Sequence, residues 1–430
     1  MTTPAPATSP ATPAPTSHTL PADEVDINAG AAYSRRQVAG YVLALGALVA
    51  LGPFTVDLYL PAFPAVARDL ITSDAAIQLT LTATTLGFGL GQLVVGPLSD
   101  SLGRRRPLMV MTAVHVLASI GVALAPSVEW VMVGRIFQGI GASGSAVVAM
   151  AMVRDMFGGQ RMIRVLSRMS LVQGFAPVFA PVIGSQLLRV LDWRGIFVFL
   201  AAYGVIMCAV ASLLIPETLP ASRRGQVSAR VIGGRYRRLL SSGGFVGVAL
   251  VGAATSTTLF AYLTASSFVL QESHGLSAQQ FGYVFALNSV SLVICTQVSA
   301  RLMRRRAPFT VAAMGLTVMF LGAVALAVGA LMGWGLVAIV VPLVFILGAA
   351  GLIFPTINVM ALGDHPSEAG TAAALIGAVN MGFAGLFSPL VGVWGNSALS
   401  MAAVMVGALV VGHVVLWAVV RPRVSHVVVD

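Results

Sequence analysis

The sequence predicts an all-α membrane protein, with twelve transmembrane helices arranged as two pseudo-symmetric six-helix bundles. Three features predict it: a shortage of charge, a succession of apolar runs each long enough to cross a bilayer, and arginines confined to alternate connections. Apolar residues make up 57% of the chain and charged residues 9%, with a mean hydropathy of +0.91. A soluble globular chain carries roughly 25% charged residues. A chain with so few cannot cover itself with a water-facing surface, so lipid must be its solvent. A helix rising about 1.5 Å per residue needs about 20 apolar residues to cross about 30 Å of hydrocarbon.

Residues 1–36, opening MTTPAPATSPATPAPTSHTL, are rich in Pro, Ala and Thr without periodicity, and predict a disordered N-terminal tail. The first apolar run begins near Val38 and is too long for a signal-peptide core, so it is expected to be a permanent span. Spans are predicted near 38–60, 75–98, 107–126, 130–153, 165–188, 195–215, 243–270, 279–300, 308–331, 335–362, 369–392 and 397–420. The longest internal connection, 217–242, separates a first bundle over 37–216 from a second over 243–420, and a short tail closes the chain at 421–430.

All 25 basic residues are arginine. Twenty-one fall on one side of the predicted topology, in clusters such as Arg104–Arg106, Arg223–Arg238 and Arg304–Arg306, and only Arg68, Arg189 and Arg194 on the other. Cytoplasmic loops carry the positive excess, so both termini are expected inside. The same distribution explains the net charge of +10 without nucleic acid. Lack of lysine removes the residue a P-loop needs on its phosphates. Cys208 and Cys295 lie in apolar runs, which indicates neither a disulfide nor a metal site, and no cofactor is implied. The arginine triplet recurs after the second span of each half, and Tyr59-Leu60 echoes as Tyr262-Leu263. Such internal repeats around a midplane cavity are common in secondary transporters.

Ionisable groups inside the hydrocarbon cost about 2.5–3.5 kcal/mol or more and usually face a cavity or a partner. Asp57, in GPFTVDLYLPAFP, is the one carboxylate clearly within a predicted span, and Arg135, in VGRIFQGIGASGSA, lies one turn into span 4. Two readings of Asp57 stand. It is a structural acid, paired with Arg135 or capping a kink before Pro61, or it is a proton-binding group. Desolvation raises a carboxyl pKa and a nearby arginine lowers it, so a site alternating between those settings can load and release a proton. Arg135 either snorkels outward or faces a cavity with Gln138, which shares its helix face. Tyr59, Gln138 and Asn288 are the expected substrate contacts, and the other intramembrane amides, Gln78, Gln92 and Gln173 among them, are read as interhelical hydrogen bonders. His115 and His413 lie in apolar runs, where structural roles are expected.

GPLSDSLGRRR at Gly96–Arg106 combines an acid, two glycines and three arginines after span 2. Positive-inside anchoring explains the arginines but not Asp100, Gly96 and Gly103. Here the chain resembles the major facilitator superfamily: Gly96, Asp100, Gly103 and Arg104–Arg106 are similar to its loop 2–3 signature, and Arg135, Gln138, Gly139 and Gly141 to its helix 4 signature. DLYLPAFP at Asp57–Pro64, RDMF at Arg154–Phe157, APVFAPVIG at Ala176–Gly184, DWRGIF at Asp192–Phe197, PETLP at Pro216–Pro220 and FGYVFALN at Phe281–Asn288 are similar to the Bcr/CflA drug:proton antiporters. The resemblance spans about residues 38–390. It implies a cavity between two bundles that opens alternately to each side, with Asp57 and Arg135 as proton-coupling residues. Gly96, Asp100, Gly103 and Arg104 are implied as a gating latch, with Pro177, Pro181 and Gly184 bending span 5 at the bundle interface. Some relatives carry a second acid about two turns before the helix 1 aspartate, where this chain has Val49, which argues against strongly cationic cargo.

The expectation is a multi-pass, monomeric protein of the cell membrane that exports small drug-like molecules or antibiotics, of the bicyclomycin or chloramphenicol kind, in exchange for protons. Proton-coupled uptake of a metabolite is the alternative. A membrane-embedded transferase would need an acid cluster for a metal-bound diphosphate, or a nucleophile with a base. Asp100, Asp155, Glu217, Asp364 and Glu368 are scattered along the sequence.

Overall fold

The computed structural model describes residues 34–224, 229–363 and 369–424. Most of the predicted N-terminal tail, Asp364, Glu368 and residues 425–430 lie outside the described residues. Among the described residues, twelve helices are long and apolar enough to cross a membrane. They are span 1, Arg36–Asp69; span 2, Asp74–Leu102; span 3, Arg105–Ala123; span 4, Val128–Met156; span 5, Gly159–Leu187; and span 6, Trp193–Leu214. The second half holds span 7, Gly243–Ser273; span 8, Ala278–Leu302; span 9, Pro308–Met332; span 10, Val337–Gly363; span 11, Gly370–Val393; and span 12, Ala398–Val420. Helix starts are marked by small polar residues. Ser34, Ser73, Asp192, Ser242, Ser277 and Ser397 each accept a hydrogen bond from the N–H three residues on, satisfying a donor the helix leaves free.

Three departures from the sequence reading have physical causes. Span 1 runs to Asp69 instead of ending near 60, and it is broken on the way. Its first helix ends at Asp57, a 3₁₀ turn follows at Leu60–Ala62, and a short helix resumes over Phe63–Asp69. Pro61 and Pro64 have no N–H to continue the ladder, while the apolar side chains around them still pack. Span 5 begins at Gly159, ahead of Arg161, Arg164 and Arg168, because a helix continues past the apolar stretch into the polar margin. The connection 217–242 contains a helix at Ala229–Ser241, anchored by fully buried Leu239.

The first six spans pack chiefly on one another, and so do the last six. Span 4 is central to the first bundle, against spans 1, 2 and 3, and span 7 packs on spans 11 and 12 in the second. Between bundles, span 5 lies on span 8 and span 2 on span 11. A Cβ on Gly139 would run into the backbone carbonyl of Thr84, so spans 2 and 4 touch backbone to backbone. One apolar core crosses from bundle to bundle at the end opposite the arginines, joining Leu60 and Phe63 to Tyr262, Phe268 and Phe281. A second core, around Leu45, Val95, Val148 and Met152, stays within the first bundle at the arginine-rich end. Large apolar side chains such as Leu43, Leu117 and Leu213 lie exposed on the outer surface, where lipid tails are their solvent.

Candidate functional site

The break in span 1 leaves Asp57 at the end of a helix, with 5% of its surface exposed and facing the second bundle. It lies close enough to Tyr262 of span 7 to interact with it electrostatically, and Tyr262 Oη accepts from Asn288 Nδ2 of span 8 at 2.9 Å. Asp57 is not ion-paired with Arg135, so the paired structural reading does not describe this state.

Arg135 is fully buried. Its Nη1 donates to the Thr55 carbonyl at 2.7 Å and to Gln138 Oε1 at 2.7 Å, while Nε and Nη2 have no hydrogen-bond partner. The guanidinium lies 4.9 Å from the Tyr59 ring centroid and 5.7 Å from that of Phe197, which partly compensates the cation. Gln138 Nε2 donates to Ser119 Oγ at 2.8 Å, and His115 Nδ1 lies 3.3 Å from the Gln138 carbonyl. Arg135 is therefore held on the carbonyl of Thr55, two residues before Asp57, but turned toward the interior of its own bundle.

A cavity of about 760 Å³ separates the bundles and opens at the arginine-rich end. Val49, Gly52 and Pro53 of span 1 form part of its lining, so Asp57 sits one turn beyond the lining. The expected substrate contacts Tyr59, Gln138 and Asn288 do not line it, because all three are fully buried in packed helix faces. The lining includes instead Phe88, Gln92, Met150 and Gln173. The amides were visible in the sequence, but nothing there separated cavity-facing amides from those bonded between helices. Tyr236 and Arg235, from the unpredicted helix, stand at the mouth.

The opposite end is closed by uncharged hydrogen bonds between bundles. Fully buried Gln78 donates from Nε2 to the Thr264 carbonyl at 3.3 Å and to Asn396 Oδ1. Ser267 Oγ donates to the Leu60 carbonyl at 2.8 Å, Gln271 Nε2 to the Pro61 carbonyl at 3.1 Å, and Gln279 Nε2 to the Ser185 carbonyl at 2.8 Å.

At the arginine-rich end the Gly96–Arg106 motif forms a cluster with two other motifs. Arg104 Nε donates to Asp155 Oδ2 at 2.8 Å, and its Nη1 to Ser99 Oγ at 2.8 Å and to Asp100 Oδ1. Burial works against the charge of Arg104, but Asp155 and then Asp100 outweigh it, and its proton is held more tightly than usual. Glu217 Oε1 accepts from the Arg104 N–H at 2.8 Å and the Leu219 N–H at 3.0 Å, and Oε2 from the Arg105 N–H at 3.3 Å. Gly103 permits this turn. Its φ of +85° is open to glycine, and a Cβ would stand 2.6 Å from Glu217 Oε2. Every partner of Arg104 named here precedes span 7, so in this state the cluster braces the first bundle and does not bridge to the second. Of the other gating candidates, Gly96 lines the cavity. Ser289 of span 8 donates to the Pro177 carbonyl at 3.3 Å, and a Cβ on Gly282 of span 8 would stand 3.2 Å from the Pro181 carbonyl. Gly184 lies against the Leu58 carbonyl of span 1 with no room for a Cβ.

Twelve spans in two bundles around a cavity open at one end define a membrane transporter of the alternating-access kind. The chain belongs to the major facilitator superfamily, whose family model matches residues 43–389. It is 30% identical over 351 residues to a bicyclomycin resistance protein homolog of Haemophilus influenzae, covering 82% of this chain and 88% of that protein. It is 33% identical over 298 residues to a chloramphenicol resistance protein of Pseudomonas aeruginosa, covering 68% of this chain and 69% of that one. The fold matches the crystal structure of a bacterial homolog of the human lysosomal transporter Spinster, with a TM-score of 0.73 and 15% identity over 91% of this chain and 99% of that chain.

Proposed function

We propose that the protein exports small drug-like molecules in exchange for protons. In this reading the arginine-rich end faces the cytoplasm with both chain ends, and the state described is open inward. The working unit is one chain, divided into bundles at 37–216 and 243–420, because the cavity is enclosed by a single chain. The observation that carries the proposal is Asp57: a buried acid with no ion pair among the described residues, at a helix break between the bundles, one turn beyond a cavity open to one side. Discontinuous helices at a bundle interface are where secondary transporters hold coupling ions.

The cycle follows from that placement. Opening of the far end exposes Asp57 to the outside, where it takes up a proton. Neutral Asp57 can be buried again as the bundles close over it, and the cavity reopens inward. Cargo entering there favours return of the proton to the cytoplasm. Arg135, with two donors free, is placed to receive the carboxylate once the proton has left. One charge crossing 100 mV is worth about 2.3 kcal/mol, enough for one proton to sustain a concentration gradient. The relatives named for bicyclomycin and chloramphenicol resistance support export of such compounds as the direction and cargo class. The test is drug-dependent proton release from purified protein. Asp57→Asn abolishes it while leaving the protein folded, and normal release from that variant would refute the proposal.

A further inference from the structure

The cavity's charges are confined to its mouth, and among the described residues they are not balanced. Asp100, Arg104, Arg154, Asp155 and Arg235 are the charged side chains that line it. Both acids are held by Arg104. Arg154 and Arg235 are exposed and form no ion pair among the described residues. Beyond this collar the wall is uncharged: Val49 and Phe88, Met150, and the amides of Gln92 and Gln173. Gln92 Oε1 is closed off against Gly377 of span 11. A cation entering here passes the guanidinium groups of Arg154 and Arg235, and the carboxylates in the described lining are already held by Arg104.

We propose that this cavity takes uncharged or anionic solutes and that Arg154 and Arg235, at its mouth, exclude organic cations. The inference rests on the export reading and specifies its cargo. Phe88 and Met150 supply the apolar contact, a ring face and a polarizable thioether that adapts to varied shapes. The amides give orientation without demanding a charge. The arginine collar acts before binding, since fields focused in a low-dielectric cleft alter the local concentration of charged solutes.

The experiment uses the full-length protein in lipid nanodiscs and reconstituted vesicles, with two probes. Chloramphenicol is neutral and carries hydroxyl and amide N–H donors, and tetraphenylphosphonium is a permanent cation without a donor. Wild-type protein is expected to bind chloramphenicol at least about tenfold more tightly than the cation, a difference of about 1.4 kcal/mol. The double change Arg154→Glu with Arg235→Glu should narrow the preference for the neutral probe by about tenfold or more. Tighter or equal binding and export of the cation by the wild type would overturn this inference and leave export standing. An unchanged preference in the charge-reversed protein would also overturn it. Export of neither probe would count against the export reading itself, and the inference would fall with it.

Discussion

Gln78 offers the most direct measure of what holds the protein closed at the end opposite the arginines. Its side chain is fully buried, and its Nε2 ties span 2 to the Thr264 carbonyl of span 7 and to Asn396 before span 12. Gln78→Ala removes both bonds: Asn396 Oδ1 loses this donor, and the Thr264 carbonyl keeps only that of its own helix. Interhelical hydrogen bonds in membranes average about 0.6 kcal/mol and reach about 1.7, so the pair contributes about 1–2 kcal/mol to the closed end. Opening that end lets water replace the lost donor at Asn396 Oδ1, so the loss falls on the closed state alone. At about 1.4 kcal/mol per tenfold, the ratio of open to closed at that end should rise about 5- to 30-fold. The assay is reaction of a cysteine with a membrane-impermeant maleimide added from outside. Ser266→Cys, in a background with Cys208→Ser and Cys295→Ser, places the thiol at a fully buried position of the seal. Its labelling rate should rise by that factor in the Gln78→Ala protein. A rate unchanged within about twofold, a difference below about 0.4 kcal/mol, would mean that the apolar core, not the amide, keeps this end shut.

Other perturbations follow from the same geometry. Gly184→Leu drives a side chain into the Leu58 carbonyl beside the helix break. Overpacking there should cost about 1–3 kcal/mol, seen as a lower melting temperature and lost export. Gly103→Ala forces a Cβ onto a glycine-only backbone at φ +85° and against Glu217. The expected loss is about 1–3 kcal/mol, again read by thermal unfolding. Glu217 gives a pH dependence. Burial pushes its carboxyl up, but the N–H groups of Arg104, Leu219 and Arg105 and the charge of Arg224 outweigh burial, so it titrates below the ordinary range. The folded protein thus gives up this proton more readily than the unfolded chain. Its stabilisation is complete above the ordinary glutamate value of about 4.3 and drains away as pH falls through the lower folded value. Melting temperature should decline on acidification through that window, and Glu217→Gln should flatten the decline. An equal decline in both proteins would remove Glu217 from the account.

Much of the architecture was legible because it depends on neighbours along the chain and on the solvent. Hydropathy set the number of spans, and arginine placement assigned the connections to two sides. Asp57 could be singled out because an acid in an apolar run is costly wherever the helices finally pack. Motif spacing likewise named Asp100, Arg104, Asp155 and Glu217 as separate points of resemblance. Only the tertiary structure showed that Arg104 meets both Asp155 and Glu217, the latter 113 positions away. It also decided that Gln78 seals one end while Gln92, four turns further along the same helix, faces the cavity. Lipid tails are as apolar as a bundle core, so a span can be hydrophobic on every side and still have one face in lipid and another in protein. The sequence therefore determined what crosses the membrane and which acid lies within it. The faces that meet, and with them the cavity wall and the separation of Arg135 from Asp57, were decided by packing between helices far apart in the chain.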